Sequence, residues 1–96
     1  MTITRINEFK AQAGKDDALR DFLSSVVSTI EASLGCRACQ LLQSHDDPTR
    51  FVVVEVWDSI EAHQASVKNI PPGAIENVMK LLDDTPGGEY YIQINK

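Results

Sequence analysis

The stretch FVVVEVWDSIEAHQAS, Phe51 to Ser66, combines a nearly continuous apolar strand with the start of a helix. Val, Phe and Trp favour strands, and Asp58 with Glu61 three residues later has the spacing of a capping box that begins a helix. A strand in an antiparallel sheet with one face in water alternates apolar and polar residues, and this strand hardly does. We therefore expect both faces of the sheet to be covered.

Alternation and helical spacing predict further elements on both sides of this strand. Strands are predicted at Thr2–Lys10, Cys36–Ser44 and Glu89–Asn95. A long helix from Asp16, predicted to end at Gly35, carries a stripe of apolar residues: Leu19, Phe22, Leu23, Val26, Val27, Ile30 and Leu34. The order of strand, helix, strand, strand, helix, strand predicts an α+β, ferredoxin-like fold, with an antiparallel sheet and helices on one face.

The second helical region is interrupted by proline. Its first helix is predicted to stop near Asn69, and one or two helical turns follow the segment Ile70-Pro71-Pro72-Gly73. Segments of this composition are usually plain helix breaks. A lid at the mouth of a chamber is the alternative interpretation.

Length and charge limit the classes of function. Ninety-six residues predict a single domain over residues 1–96, with little room for a deep cleft inside one subunit. The net charge of −5 and the absence of a basic patch in the sequence argue against nucleic acid as a partner. No stretch approaches the roughly 20 apolar residues of a membrane span. We expect a cytoplasmic, soluble protein with no membrane partner.

The two cysteines, Cys36 and Cys39, have a spacing that raises the question of a metal or redox site. A zinc site would require a second pair of ligands, and a thioredoxin-like motif would lie at the start of a helix. Residues three apart on a regular strand point to opposite faces. We therefore expect two small buried residues, no disulfide and no metal.

The apolar strand also suggests a partner. The uniformly apolar set is expected under the helices: Val52, Val54 and Val56. The other set would face away from them: Phe51, Val53, Glu55 and Trp57. Nothing else in the chain remains to cover that side, so a second copy packed sheet to sheet is expected, giving a dimeric α+β barrel.

Three residues in the opening stretch are candidates for a site. Glu55 and Trp57 share a strand face, and His63 lies on the helix stripe that leans toward the sheet. The simpler interpretation is a packed Trp57, a half-buried His63 and a Glu55 paired with a base such as Arg5 or Arg37, since most buried polar residues are merely hydrogen-bonded. His45 is expected on the surface.

Several segments together resemble one protein family. They are Glu55-Val56-Trp57, the following Asp58–Ala62, Gly35-Cys36 after the long helix, and Asp47-Pro48 in the hairpin. These resemble the antibiotic biosynthesis monooxygenase family, which includes quinol monooxygenases and consists of small dimeric α+β barrels. The resemblance extends from Ile3 to Ile94. It is more specific for the fold than for any one reaction.

The resemblance implies cofactor-independent oxygenation, by O2, of an electron-rich aromatic such as a quinol, an anthrone or a dihydroxynaphthalene. It implies neither a metal nor a bound cofactor, and a homodimer as the assembly. The implied catalytic residues are His63 as base or hydrogen-bond partner, Trp57 as wall or donor, and Asn7. The implied substrate-binding residues are Glu55, Tyr91 and Phe51.

One departure from the family pattern keeps other functions open. Many relatives carry a histidine nine residues past the tryptophan, where this chain has Ser66, and His63 lies one helical turn earlier. The alternatives are a dimeric small-aromatic-binding or stress-associated protein without turnover, and a structural dimer with a filled barrel. Asn7 also resembles an asparagine of haem-degrading relatives, but Ser66 and Glu76 stand where those relatives have Trp and His.

Overall fold

A four-stranded antiparallel sheet carries helices on one face in the computed structural model, which describes residues 1–95. The elements are β1 (Ile3–Lys10), α1 (Asp16–Glu31), β2 (Cys36–Gln43), β3 (Arg50–Trp57), α2 (Ile60–Val67), α3 (Pro72–Met79) and β4 (Gly87–Tyr91). The strand order is β2-β3-β1-β4, with β1 and β3 in the centre. This confirms the predicted ferredoxin-like α+β fold.

The end of α1 differs from the prediction. The helix ends at Glu31, and Leu34, which was assigned to the apolar stripe, is 95% exposed. Gly35 has a positive φ of 87° where the chain enters β2, and a Cβ there would lie 2.8 Å from the Cβ of Ala62. Gly35 therefore allows the chain to turn and to pass close to α2 instead of capping α1 directly.

The other boundaries shift by a few residues. The residue that caps α2 is Ser59, whose Oγ accepts a hydrogen bond from the backbone N–H of Ala62 at 3.1 Å. Asp58 instead pairs with Arg37. The final strand was predicted at 89–95 and is found at Gly87–Tyr91, so it begins two residues earlier and ends four residues earlier. No helix within residues 1–95 has the length and apolar character of a membrane span.

The orientation of β3 is the reverse of the one expected. The residues that face the helices are Phe51, Val53, Glu55 and Trp57, each at most 3% exposed. The valines between them, expected under the helices, lie on the outer face and are only partly buried. Phe51 packs with Leu19 and Leu23 of α1, because the layer between sheet and helices has the depth that large aromatic side chains fill. Uniform apolarity therefore did not identify the helix-covered face.

The outer face of the sheet is largely apolar and carries no helix. Cross-strand register places these residues opposite the three valines: Thr4, Ile6 and Glu8 of β1, and Ala38, Gln40 and Leu42 of β2. Tyr91 and Glu89 of β4 lie next to Thr4 and Ile6 on the same face. Leu42 and Tyr91 keep about half of their surface exposed. Contiguous apolar surface of this kind marks an interaction face in soluble proteins.

The cysteines also differ from the expectation. An irregularity in the β2–β3 pairing lies between Cys36 and Ala38, so that Cys36 pairs with Trp57 and Cys39 pairs with Glu55. Both cysteines therefore lie on the inner face, because a bulge residue inverts the alternation that was assumed. Both are free and half-buried, and burial is the main cause that raises the pKa of Cys39 to about 12. Its thiol is protonated and a poor nucleophile.

Candidate functional site

A buried carboxylate on β3 organises the polar residues of the inner face. Glu55 is 3% exposed. One of its oxygens accepts a hydrogen bond from Nδ2 of Asn7 on the neighbouring β1 at 2.6 Å, and the other accepts one from Nε1 of Trp57 at 2.8 Å. The Asn7 amide and the Trp57 indole therefore fix the carboxyl plane. These two hydrogen bonds hold Glu55 in place, and not the expected ion pairs with Arg5 or Arg37.

The environment of Glu55 pulls its pKa in two directions. Burial raises the pKa above the ordinary value of 4.5, because a charged carboxylate loses its hydration. The hydrogen bond from Trp57, the charge of Arg5 and the hydrogen bond from Asn7 lower the pKa, in that order of size. The net effect is a raised pKa, which makes Glu55 a stronger proton acceptor than an exposed glutamate.

His63 projects from α2 toward this carboxylate. Its Nδ1 lies 2.6 Å from the Tyr90 hydroxyl, and its Nε2 lies 3.9 Å from the nearer oxygen of Glu55. The ring also meets the Trp57 ring edge-on, with 5.6 Å between centroids. Burial, and then the charge of Arg5, lower the pKa of His63 below 6.5. The imidazole is therefore neutral near pH 7 and able to accept a proton.

Arg5 connects Asn7, which bonds to Glu55, with Tyr90, which contacts His63. Its Nε donates to Oδ1 of Asn7 at 3.1 Å, and its Cζ lies 4.6 Å from the centre of the Tyr90 ring. Gly88 on β4, which pairs with Asn7, makes this position possible. A Cβ at residue 88 would overlap the Arg5 guanidinium and lie 2.7 Å from Oδ1 of Asn7. The absence of a side chain at Gly88 is thus part of the site.

A cavity of about 210 Å³ lies between the sheet and the helices of the single chain. Its apolar walls come from Phe9, Leu23, Val26, Ile30, Val53, Val67 and Ile70, and its polar groups from Arg5, Asn7, Glu55, His63 and Ser66. Pockets of this type bind small apolar molecules and orient them by a few polar groups. A hydroxyl group bound near Glu55 and His63 would meet two proton acceptors in a poorly hydrated space.

The structure brings together some of the sequence-predicted site residues and separates others. Asn7, Glu55 and His63 lie on the cavity. Trp57 is fully buried, does not line the cavity, and holds Glu55 as a donor. Phe51 packs in the hydrophobic core with Leu19 and Leu23, away from the polar cluster.

The structure places Tyr91, expected to bind substrate, away from the cavity. It lies on the outer face, 45% exposed, and its hydroxyl bonds to Glu89 at 3.0 Å. Its neighbour Tyr90 reaches His63 instead. Only the register, in which Tyr90 pairs with Arg5, separates the two tyrosines, and that register cannot be obtained from the adjacent pair in the sequence.

Ser66 and Glu76, which stand where haem-degrading relatives have Trp and His, supply neither an indole nor an imidazole. Ser66 donates its hydroxyl hydrogen to the backbone oxygen of His63 at 2.7 Å, and Glu76 is exposed on α3. Within residues 1–95, no cluster of three or more His, Cys, Asp or Glu side chains has the arrangement of a metal site.

Comparison with known proteins agrees with this architecture. The family model described as antibiotic biosynthesis monooxygenase matches residues 2–84. A search of curated proteins gives no match.

Several solved structures share the fold. Rv0793 from Mycobacterium tuberculosis is 21% identical, with a TM-score of 0.86, and the alignment covers 100% of this chain and 98% of that one. SnoaB, a cofactor-independent oxygenase from Streptomyces nogalater, is 16% identical, with a TM-score of 0.83 and coverages of 99% and 95%. Protein SO0527 from Shewanella oneidensis is 26% identical, with a TM-score of 0.82 and coverages of 96% and 90%.

The family match extends over most of the chain, and its fold is the one that places Asn7, Glu55 and His63 around an apolar cavity. The chain belongs to the antibiotic biosynthesis monooxygenase family.

Proposed function

We propose that this protein is a cofactor-independent monooxygenase that oxidises an electron-rich aromatic of the quinol, anthrone or dihydroxynaphthalene type with O2. The observation that carries the proposal is the pairing of a neutral His63 with a buried Glu55 at the polar end of an apolar cavity. Family membership and the likeness to SnoaB, an oxygenase of this kind, support it.

The first step is removal of a proton from the substrate. With the Nδ1–H of His63 donating to the Tyr90 oxygen, Nε2 accepts the proton of a substrate hydroxyl in the cavity. The imidazolium that forms lies 3.9 Å from the Glu55 carboxylate, which stabilises its charge. Arg5, at the same end of the cavity, stabilises the substrate anion.

The substrate anion then acts as the reductant of O2. It transfers one electron to O2, and the resulting superoxide and substrate radical combine to form a carbon–oxygen bond. A proton returned from His63 completes a hydroperoxide. The carbon that bears the hydroperoxide then loses its proton while the oxygen–oxygen bond breaks. The hydroxide that leaves takes up this proton to form water, and a quinone carbonyl remains. One O2 is consumed, with one oxygen atom retained in the product and one released as water.

A second copy of the chain is proposed to cover the outer face of the sheet. The apolar set around Val52, Val54 and Val56 is the surface that such a copy would bury, because the helices lie on the other side. In this arrangement the dimer interface stabilises the sheet, and the chamber lies inside each protomer instead of between the two copies.

Oxygen uptake with dihydroxynaphthalene, without added metal or flavin, tests the proposal. We expect a rate above the buffer control that falls about a hundredfold or more in His63→Gln, because general-base catalysis contributes at least that factor. The matched control is His45→Gln, since His45 is an exposed histidine in the β2–β3 loop. Equal rates in the two variants, or a parent rate equal to that of buffer, would refute the proposal.

A binding function without turnover is the second candidate. Both oxygens of Glu55 already accept hydrogen bonds from the protein, which favours a carboxylate that shapes the pocket instead of reacting. Saturable quenching of Trp57 fluorescence by the quinol, with no product and no oxygen uptake, would support this function.

A further inference from the structure

A second cavity adjoins the first. Its volume is about 220 Å³, and it lies between α1 and the segment that leads into α3. Four residues line both cavities: Val26, Ile30, Ser66 and Ile70. The two spaces therefore share a wall formed by these four residues.

Three serines line the second cavity, and each one donates its hydroxyl hydrogen to a backbone oxygen of its own helix region. The Ser25 hydroxyl donates to the backbone oxygen of Phe22 at 2.7 Å, and the Ser33 hydroxyl donates to that of Thr29 at 3.0 Å. Ser66 is tied to the backbone of its own helix in the same way. Because these hydroxyl hydrogens are already used, the serines offer little to a polar ligand.

Apart from Thr29, which also carries a hydroxyl, the remaining walls are hydrocarbon. They come from Phe22, Val26, Ile30, Ile70, Pro71 and Ala74. No acidic or basic side chain lines this cavity, whereas the first cavity holds Arg5, Glu55 and His63 at one end. The two adjoining cavities thus differ in character, because the first has charged and polar groups at the sheet and the second has no charged group.

Ser66 occupies the junction between the two spaces. It lies one helical turn after His63 on α2, and its small side chain is directed to its own backbone. A longer side chain at this position would project into the common wall.

We infer that the second cavity is a specificity subsite for a hydrocarbon side chain on the aromatic substrate. The reacting ring lies beside Glu55 and His63, and the side chain passes Ser66 to lie between α1 and the Ile70–Pro71 segment. The inference rests on the proposed function for the position of the ring. It adds a preference for alkylated over unsubstituted aromatics.

Binding of naphthoquinones tests the subsite without requiring turnover. A series with no chain and with methyl, ethyl, propyl and longer alkyl chains is titrated against the fluorescence of Trp57, the only tryptophan. We expect the affinity to rise about threefold to fourfold for each methylene that enters the cavity, because each buried methylene contributes about 0.8 kcal/mol. The rise should stop once the chain fills the space.

Two adjacent serines on α1 provide matched variants. Both serines are exposed, but Ser25 lines the second cavity, whereas its neighbour Ser24 lines neither cavity. We expect Ser25→Phe to remove the dependence on chain length and Ser24→Phe to retain it. Ser66→Leu, at the junction, should also remove it. In Ser25→Phe and Ser24→Phe the unsubstituted naphthoquinone should bind as it does to the parent.

The outcomes separate the subsite from the proposed function. If the unsubstituted ring binds but chain length has no effect, or if Ser25→Phe and Ser24→Phe behave alike, the subsite is refuted and the proposed function stands. If no naphthoquinone binds at all, both are refuted. A chain-length effect that Ser25→Phe abolishes supports both.

Discussion

Replacement of Glu55 by glutamine tests the hydrogen-bond network at the centre of the site. The Trp57 indole can only donate, so the single oxygen of glutamine must face it. The new NH2 group then faces Nδ2 of Asn7, and two donors oppose each other. Asn7 can flip to present its oxygen, but it would then turn its NH2 toward Arg5, which also donates. One donor is mismatched in either arrangement.

The expected cost is about 1.5–3 kcal/mol of unfolding free energy, the range for hydrogen bonds that involve a charged group. The cost should grow at low pH. Burial raises the pKa of Glu55 in the folded protein, so the folded parent takes up a proton at a higher pH than the unfolded chain and gains stability as the pH falls through that raised pKa. Glutamine does not titrate, so the difference between parent and variant is smallest at neutral pH and largest below about pH 4.5, the ordinary value.

Urea unfolding followed by Trp57 fluorescence measures this difference. The protein concentration is held constant at both pH values, because a dimer would make the midpoint depend on it. Glu76→Gln, an exposed glutamate on α3, is the matched control and should change the free energy by less than about 0.5 kcal/mol. Equal losses in the two variants would refute the network, and a Glu55→Gln loss that does not grow between pH 7 and pH 4 would contradict the raised pKa of Glu55.

Three further results are expected. Gly88→Ala should destabilise the protein by about 1–3 kcal/mol because its Cβ overlaps Arg5. Gly87→Ala is the control and should not destabilise it, because a Cβ there meets nothing within 4 Å. Equal thermal unfolding curves for the two variants would contradict this prediction. Tyr90→Phe should lower kcat about tenfold, the equivalent of one lost hydrogen bond to His63, and steady-state oxygen uptake that matches the parent would contradict it. The value of kcat/KM should rise with pH through the pKa of His63, which burial holds below 6.5, so an acid-limb midpoint above 6.5 would show that another group is the base.

The fold could be predicted because each element carries a local signal. The apolar stripe from Leu19 to Ile30 identifies α1, and the order of strands and helices identifies the topology. Local signals are weakest at element ends. Ser59 and Asp58 are both good helix caps, and only the packing shows that Asp58 is used by Arg37.

The face of β3 that lies under the helices could not be predicted from apolarity alone. Val52, Val54 and Val56 are as hydrophobic as a core, and Glu55 on the alternate face looked unsuited to burial. That glutamate is buried because Asn7 and Trp57 donate to both of its oxygens, and Asn7 reaches it from another strand. Such long-range compensation is not visible in one strand.

The site residues follow the same division. Glu55 and His63 were singled out by residue type and spacing and Asn7 by the family resemblance, and the structure places all three on one cavity. The roles of Tyr90 and Gly88 depend on how β4 registers with β1, which two adjacent tyrosines and two adjacent glycines leave ambiguous. The bulge at Arg37, which turns both cysteines inward, likewise has no sequence signal that spacing alone could supply.

The location of the chamber is the claim on which the proposed chemistry depends, and a crystal structure with a bound hydroxynaphthoquinone tests it most directly. We expect the ring between the sheet and the helices of one protomer, with an oxygen within hydrogen-bond distance of His63 or Glu55. A ring held between the valine faces of two protomers, with the inner cavity empty, would contradict the account.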